Sequence, residues 1–118
     1  MSAKNLLYVG TYTNTRTHED NEHPDAIYVF SFDAESGALE PVSTVNDIVN
    51  PTYLTVNKAG THLYAVSEVW DAATSYIATY RIDPETHTLT RINSQSSLGR
   101  ACAWVTLDHT EKMAMIAN

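Results

Sequence analysis

Short runs in which apolar and polar positions alternate make up most of this chain, and clusters of turn-forming residues separate them. The clearest runs cover residues 53–57, 62–68, 75–83 and 89–94, and β-branched and aromatic residues dominate them. A period of two sends successive side chains to opposite faces of a pleated backbone, so each run predicts a short, half-buried β-strand. Asn57-Lys58-Ala59-Gly60 and Asp83-Pro84-Glu85-Thr86-His87 stand between runs, as does Asp33-Ala34-Glu35-Ser36-Gly37 earlier in the chain. Asp caps a turn with its own carboxylate, Pro presets φ and Gly reaches positive φ. No segment carries an apolar stripe at i, i+3, i+4 and i+7, so the expected fold is all-β.

The runs repeat. Ile27-Tyr28-Val29-Phe30-Ser31-Phe32-Asp33 returns as Ile77-Ala78-Thr79-Tyr80-Arg81-Ile82-Asp83, followed by Glu35 with Glu85, Leu39 with Leu89 and Val42 with Ile92. Tyr53-Leu54-Thr55-Val56-Asn57 is answered by Trp104-Val105-Thr106-Leu107-Asp108. Four strands in every ~50 residues is the blade period of β-propellers. A β-sandwich also spaces short strands closely but has no need of such a self-repeat, so the repeat favours antiparallel, four-stranded propeller blades.

With blade strands lettered A to D from the inside outward, residues 1–45 supply strands B, C and D of one blade. Residues 46–100 supply a complete blade, and 101–118 supply strands A and B of the next. The result is one incomplete propeller domain of about two and a quarter blades, whereas closed propellers use about four to eight. The two open ends would expose Leu7 and Val9 on one side and Met115 and Ile116 on the other. The isolated chain is therefore expected either to fold poorly or to associate with itself through its open blade edges.

Composition narrows the function. A hydrophobic share of 43% is enough for a packed core, and a formal net charge of -7 repels phosphate backbones and anionic lipid. Neither a nucleic-acid nor a membrane partner is expected, and no ~20-residue apolar stretch is present to cross a bilayer. The single cysteine, Cys102, excludes an internal disulfide and fits a reducing compartment, with the cytoplasm as the default location. Cys102 has no basic neighbour in sequence and reads as a small core residue.

In a meander of this kind the short A–B and C–D turns share one face. The connections 14–25, 46–52, 69–74 and 95–101 gather on the other, where propellers place binding and chemistry. Glu68 ends a B strand at that mouth, where a carboxylate suits a general base or a grip on a substrate hydroxyl. Arg100 precedes an inner strand, where a guanidinium suits bidentate binding of a carboxylate or phosphate. Tyr53 and Trp104 hold equivalent inner-strand positions, suited first to packing and then to stacking on a ligand. The loop from Thr17 to Asp25 contains His18 and His23 among several carboxylates, but in no tight ligand pattern, so a solvated loop without metal is expected. His62, His87 and His109 fall at the opposite turns and read as surface residues. No phosphate-cradling glycine loop, nucleophile elbow or paired-cysteine zinc spacing occurs, and no cofactor is expected.

Several stretches carry a family resemblance: Leu7-Tyr8-Val9-Gly10-Thr11-Tyr12-Thr13, Ile27-Tyr28-Val29-Phe30-Ser31-Phe32-Asp33 with Ser36-Gly37-Ala38-Leu39, Asn50-Pro51-Thr52-Tyr53-Leu54, Leu63-Tyr64-Ala65-Val66-Ser67-Glu68 and the closing Ile116-Ala117-Asn118. As a set they resemble the opening blades of the seven-bladed propeller lactonases, a family that includes propeller-type 6-phosphogluconolactonases and carboxy-muconate cyclases. The resemblance implies a small-molecule lactone substrate, no required metal, and catalysis by His, Arg and Glu at the channel mouth. Those groups lie in later blades of the family, so catalytic residues are expected downstream of Asn118. It makes Tyr53 and Glu68 characteristic early-blade positions, with Pro51, and Asn118 the asparagine of an Ala-Asn-Tyr signature. Together with Arg100 these give four substrate-cleft candidates: Tyr53, Glu68, Arg100 and Asn118. Two positions depart from the family: Cys102-Ala103-Trp104 replaces its Pro-Cys-His, and Glu111 replaces a turn glycine. The expected function is that of an N-terminal piece of a lactonase. The alternatives are a non-enzymatic propeller that binds a ligand at its mouth, or an inactive truncated product.

Overall fold

The computed structural model describes residues 5–13 and 25–118. Nine strands form in it: β1 (Asn5–Gly10), β2 (Ile27–Phe32), β3 (Leu39–Val45), β4 (Leu54–Val56), β5 (His62–Ser67), β6 (Tyr76–Ile82), β7 (Leu89–Ser96), β8 (Trp104–Leu107) and β9 (Ala114–Ala117). They build three antiparallel meanders in chain order, β1-β2-β3, β4-β5-β6-β7 and β8-β9. No helix occurs among the described residues. This is the partial, all-β propeller that the repeat predicts.

Consecutive sheets face one another. The inner strand β4 lies against both β1 and β8, and the outer strands β3 and β7 meet farther out. Alternation along β5 and β6 explains how the middle sheet buries two faces. Leu63 and Ala65 pair with Tyr80 and Ala78, and all four enter a core with Ala26, Ile27, Ile48 and Ile82 against the first sheet. Val66, Tyr64 and Ile77 point the other way and pack with Cys102, just before β8, and with Val105 and Ile116 of the third sheet. Each fully buried aliphatic or aromatic side chain of these clusters contributes roughly 1.5–3 kcal/mol of transfer free energy, which holds the sheets together face to face.

The repeat extends to backbone detail. β2 carries a register shift between Val29 and Phe30, and β6 carries one between Thr79 and Tyr80, at matching places in the two copies. The C–D turns match too. The Asp33 carboxylate accepts from the backbone N–H groups of Glu35 and Ser36, and that of Asp83 from Glu85 and Thr86.

One expectation needs correction. Met115 is exposed, but Ile116 is half-buried against Val66, Cys102 and Val105. Neighbouring residues of a strand point to opposite faces, so the two cannot share one open surface. Leu7 and Val9 are exposed on the first sheet, as expected.

Candidate functional site

The site begins at Asn50, in the connection from β3 to β4. Its backbone is left-handed, with φ of 47°, a conformation that Asn tolerates better than most residues because its short polar side chain finds local partners. That conformation brings Asn50 between the ends of two strands. Its Oδ1 accepts from the Thr13 N–H at 2.8 Å, beyond β1, and its Nδ2 donates to the Glu68 carbonyl at 3.1 Å, beyond β5. Its own N–H donates to the Thr13 hydroxyl at 3.0 Å, and its carbonyl accepts from the Glu68 N–H at 3.0 Å. A buried residue thus ties the first sheet to the second where the longer loops gather.

The same junction orients the Glu68 side chain. One carboxylate oxygen accepts from the Tyr12 hydroxyl at 3.2 Å, and the other accepts from the Thr52 hydroxyl. Burial and then the Glu68 charge push the Tyr12 phenol above its ordinary pKa. A carboxylate has about four acceptor directions, so Glu68 is held in place with lone pairs left for a ligand hydroxyl.

Beside Thr52, Tyr53 enters β4, and Trp104 opens β8 at the corresponding place. Their rings meet tilted, 6.3 Å between centroids and 50° between planes. Tyr53 is 41% exposed and Trp104 40% exposed, so the pair is packed on itself and still presents ring surface to solvent. Both roles expected of these two rings, packing and a stacking surface, are open to them.

The loop 97–101 comes next. The Ala101 N–H donates to the Val69 carbonyl at 2.7 Å and joins this loop to the one that follows Glu68. Leu98 and Ala101 are both left-handed, with φ of 58° and 48°. Arg100 lies between them, exposed and without a hydrogen bond or ion pair among the described residues. Asn118 follows β9 and donates from Nδ2 to the Ser97 carbonyl at 3.1 Å. Gly99 permits that contact, because a Cβ there would stand 2.2 Å from Asn118 Nδ2. Of the four cleft candidates, Glu68 is bonded to Thr52, the residue that precedes Tyr53. Arg100 and Asn118 share the adjacent loop, with Asn118 turned to its support.

A buried set of serines was not foreseen from the sequence. Ser67 donates to the Val49 carbonyl at 2.7 Å, Ser75 to the Ser67 carbonyl at 3.0 Å, and Ser97 to the Ser75 carbonyl at 3.2 Å. The Ser75 hydroxyl also accepts from the Cys102 N–H. These small hydroxyls satisfy backbone groups where the mouth loops leave the sheets. Single serines at or beside strand ends carry no pattern that would announce this. Cys102 itself is buried, and burial pushes its thiol above the ordinary pKa, away from the reactive thiolate.

Among the described residues, no group of three or more His, Cys, Asp or Glu side chains is placed to hold a metal. Apart from Asp25, the loop 17–25 lies outside those residues, with His18 and His23.

Residues 6–118 match the sequence model of the family described as "Lactonase, 7-bladed beta-propeller". The chain is 31% identical over 115 residues to a Bacillus subtilis 6-phosphogluconolactonase and 30% identical over 112 residues to one from Formosa agariphila. These matches cover 98% and 95% of this chain, but in each case 30% of the relative's length. A crystal structure of a Bacteroides fragilis protein superposes with a TM-score of 0.81 at 28% identity, over 96% of this chain and 29% of that one.

Proposed function

We propose that this chain, which belongs to the seven-bladed β-propeller lactonase family, forms one side of the mouth of an enzyme that hydrolyses a sugar lactone of the 6-phosphogluconolactone kind. The observation that carries the reading is identity of 30–31%, along nearly the whole chain, to two proteins named 6-phosphogluconolactonase. The chain spans about 30% of their length, so the activity belongs to the complete propeller. Opening a lactone adds water to the ester carbonyl, and it needs a base for the water and cationic or hydrogen-bonding groups for the developing oxyanion. This chain's share is recognition. Glu68, set by Tyr12 and Thr52, accepts a hydroxyl of the sugar, Tyr53 lies against the ring, and Asn118 holds the loop that displays Arg100. A cytoplasmic setting, fitted by the lone buried Cys102, is part of the same proposal.

The test compares the protein from the complete coding sequence with the 118-residue chain, following acid release from 6-phosphogluconolactone. Turnover by the first and background by the second is the expected pair. A complete protein inert toward the lactone overturns the reading. Turnover by the short chain that is lost in Glu68→Gln places the active site within these residues instead.

Self-association of the isolated chain is proposed as well. Leu7, Val9, Met113 and Met115 are exposed, and β9 has no second partner strand among the described residues. Light scattering on a size-exclusion eluate should show dimers or larger species at micromolar concentration, and a cooperative monomer ends the idea.

A further inference from the structure

A guanidinium or ammonium strengthens recognition of a phosphorylated sugar, and this protein carries a net charge of -7. The described loops of the mouth, 46–53, 68–75 and 97–103, contain one Lys or Arg between them, Arg100. Their acids are already engaged. Asp47 accepts from the Tyr80 hydroxyl at 2.7 Å, Glu68 from Tyr12 and Thr52, and Asp71 from the Ala73 N–H at 2.9 Å. None of them forms an ion pair with the guanidinium.

The backbone around Arg100 is costly to hold. Leu98 and Ala101 both take left-handed backbone without being glycine, and Leu98 is 91% exposed, so no packing of its side chain repays the conformation. The loop is fixed from outside by the Ala101–Val69 bond and by Asn118 against Gly99 and Ser97. A surface arginine of no consequence needs no such scaffold. Four residues further on, Trp104 opens the inner strand and forms the ring pair with Tyr53. The anchored cation thus precedes the exposed aromatic surface on one short stretch of chain.

We propose that Arg100 is the specificity-determining residue of this mouth, its guanidinium taking the phosphate of a phosphorylated sugar lactone whose ring lies on the Tyr53–Trp104 pair. The planar fork of donors fits a phosphate with two parallel hydrogen bonds, which an ammonium cannot reproduce. The proposal rests on the lactonase reading but makes a separate claim about which lactone is preferred.

The experiment uses the complete protein and two substrates, 6-phosphogluconolactone and unphosphorylated δ-gluconolactone. The measured quantity is the ratio of their kcat/KM values. Arg100→Ala should lower that ratio about tenfold or more, and Arg100→Lys should lower it less, as loss of a charge-assisted pair predicts. Thermal denaturation monitors folding, which an exposed and unpartnered side chain should not disturb. A ratio within about twofold of wild type in Arg100→Ala overturns the proposal, whatever happens to the two rates together. Should the wild-type protein open neither lactone, the lactonase reading falls and calorimetry with the acids decides this claim alone. Tighter binding of 6-phosphogluconate than of gluconate, lost in Arg100→Ala, supports it, and equal binding overturns it.

Discussion

His87 stands where Gly37 stands one repeat earlier, and both hold left-handed backbone, with φ of 61° and 75°. Each closes a turn by donating its N–H to the carbonyl of the aspartate four residues before, at 2.9 Å from His87 to Asp83 and 2.8 Å from Gly37 to Asp33. The left-handed region costs an L-residue with a Cβ roughly 1 kcal/mol, and glycine much less. His87→Gly should therefore stabilise the fold by up to about 0.5 kcal/mol, after the added freedom of the unfolded chain is subtracted. Chemical denaturation of the two proteins side by side checks it, and a lowered midpoint would show that the imidazole stabilises the turn in some further way.

The same comparison shows where sequence reasoning ends. The strands were legible because alternation and turn residues are local, and the 50-residue repeat was legible because each copy keeps the Asp at the head of its turn. Glu111 was visible as the replacement of a turn glycine. Its φ of 58° against 68° at Gly60 shows that the turn keeps its shape without the glycine. What compensates was not visible. The Glu111 carboxylate accepts from the Lys58 N–H at 2.6 Å, and the Lys58 ammonium donates to the His109 carbonyl at 3.0 Å, so adjacent turns are tied across sheets. Glu68 could be named from its strand end, yet its partner Tyr12 lies 56 positions away, beyond the end of β1 in the first sheet. Contacts of that kind depend on how blades pack, which no local period encodes.

Asn50 should be among the least replaceable residues of the mouth. Removing its amide leaves the Thr13 N–H and the Glu68 carbonyl short of partners in a part-buried junction, and an alanine there keeps an unfavourable left-handed backbone. Asn50→Ala should cost about 2–4 kcal/mol. Asn50→Gly accepts the backbone freely but frees the unfolded chain, so it should cost up to about 0.5 kcal/mol less than the alanine variant. A glycine variant less stable than the alanine variant would mean that the left-handed backbone costs alanine less than the freedom glycine adds to the unfolded chain.

Acid should weaken the fold through its turns. Hydrogen bonds from the Ser36 and Glu35 N–H groups hold the Asp33 carboxyl below the ordinary range, and those from Thr86 and Glu85 do the same for Asp83. At Asp108 the Thr110 hydroxyl leads, followed by the Met113 N–H. A carboxyl with a depressed folded pKa contributes stability that is fully present above its unfolded value, about 3.9, and lost as pH falls through the lower folded value. Denaturation midpoints measured from pH 6 down to about 2.5 should thus fall more steeply for wild type than for Asp33→Asn/Asp83→Asn, which keeps an acceptor but cannot titrate. Parallel profiles would remove these turns from the acid response.

Gly10 lies where the end of β1 comes close against the connection that leads into β4. It ends β1, and a Cβ built on it would fall 1.9 Å from the Pro51 carbonyl oxygen and 3.1 Å from its carbonyl carbon. Both are backbone atoms, so no side chain can swing away to make room, and β1 has to withdraw from the connection that carries Asn50. Withdrawal acts on the mouth directly, because Thr13 and Tyr12, three and two residues on, are the partners of Asn50 and Glu68. Gly10→Ala should therefore cost about 1–3 kcal/mol in denaturant, the range of an overpacked core site, although alanine is otherwise the better strand residue. Val9→Ala is the control, since Val9 is exposed on the same strand and its truncation opens no cavity between the sheets. The complete protein should also bind 6-phosphogluconate more weakly when it carries Gly10→Ala, while the Val9 variant keeps its affinity. If the two variants lose equal stability, the close approach at Pro51 is not what fixes the first sheet against the second.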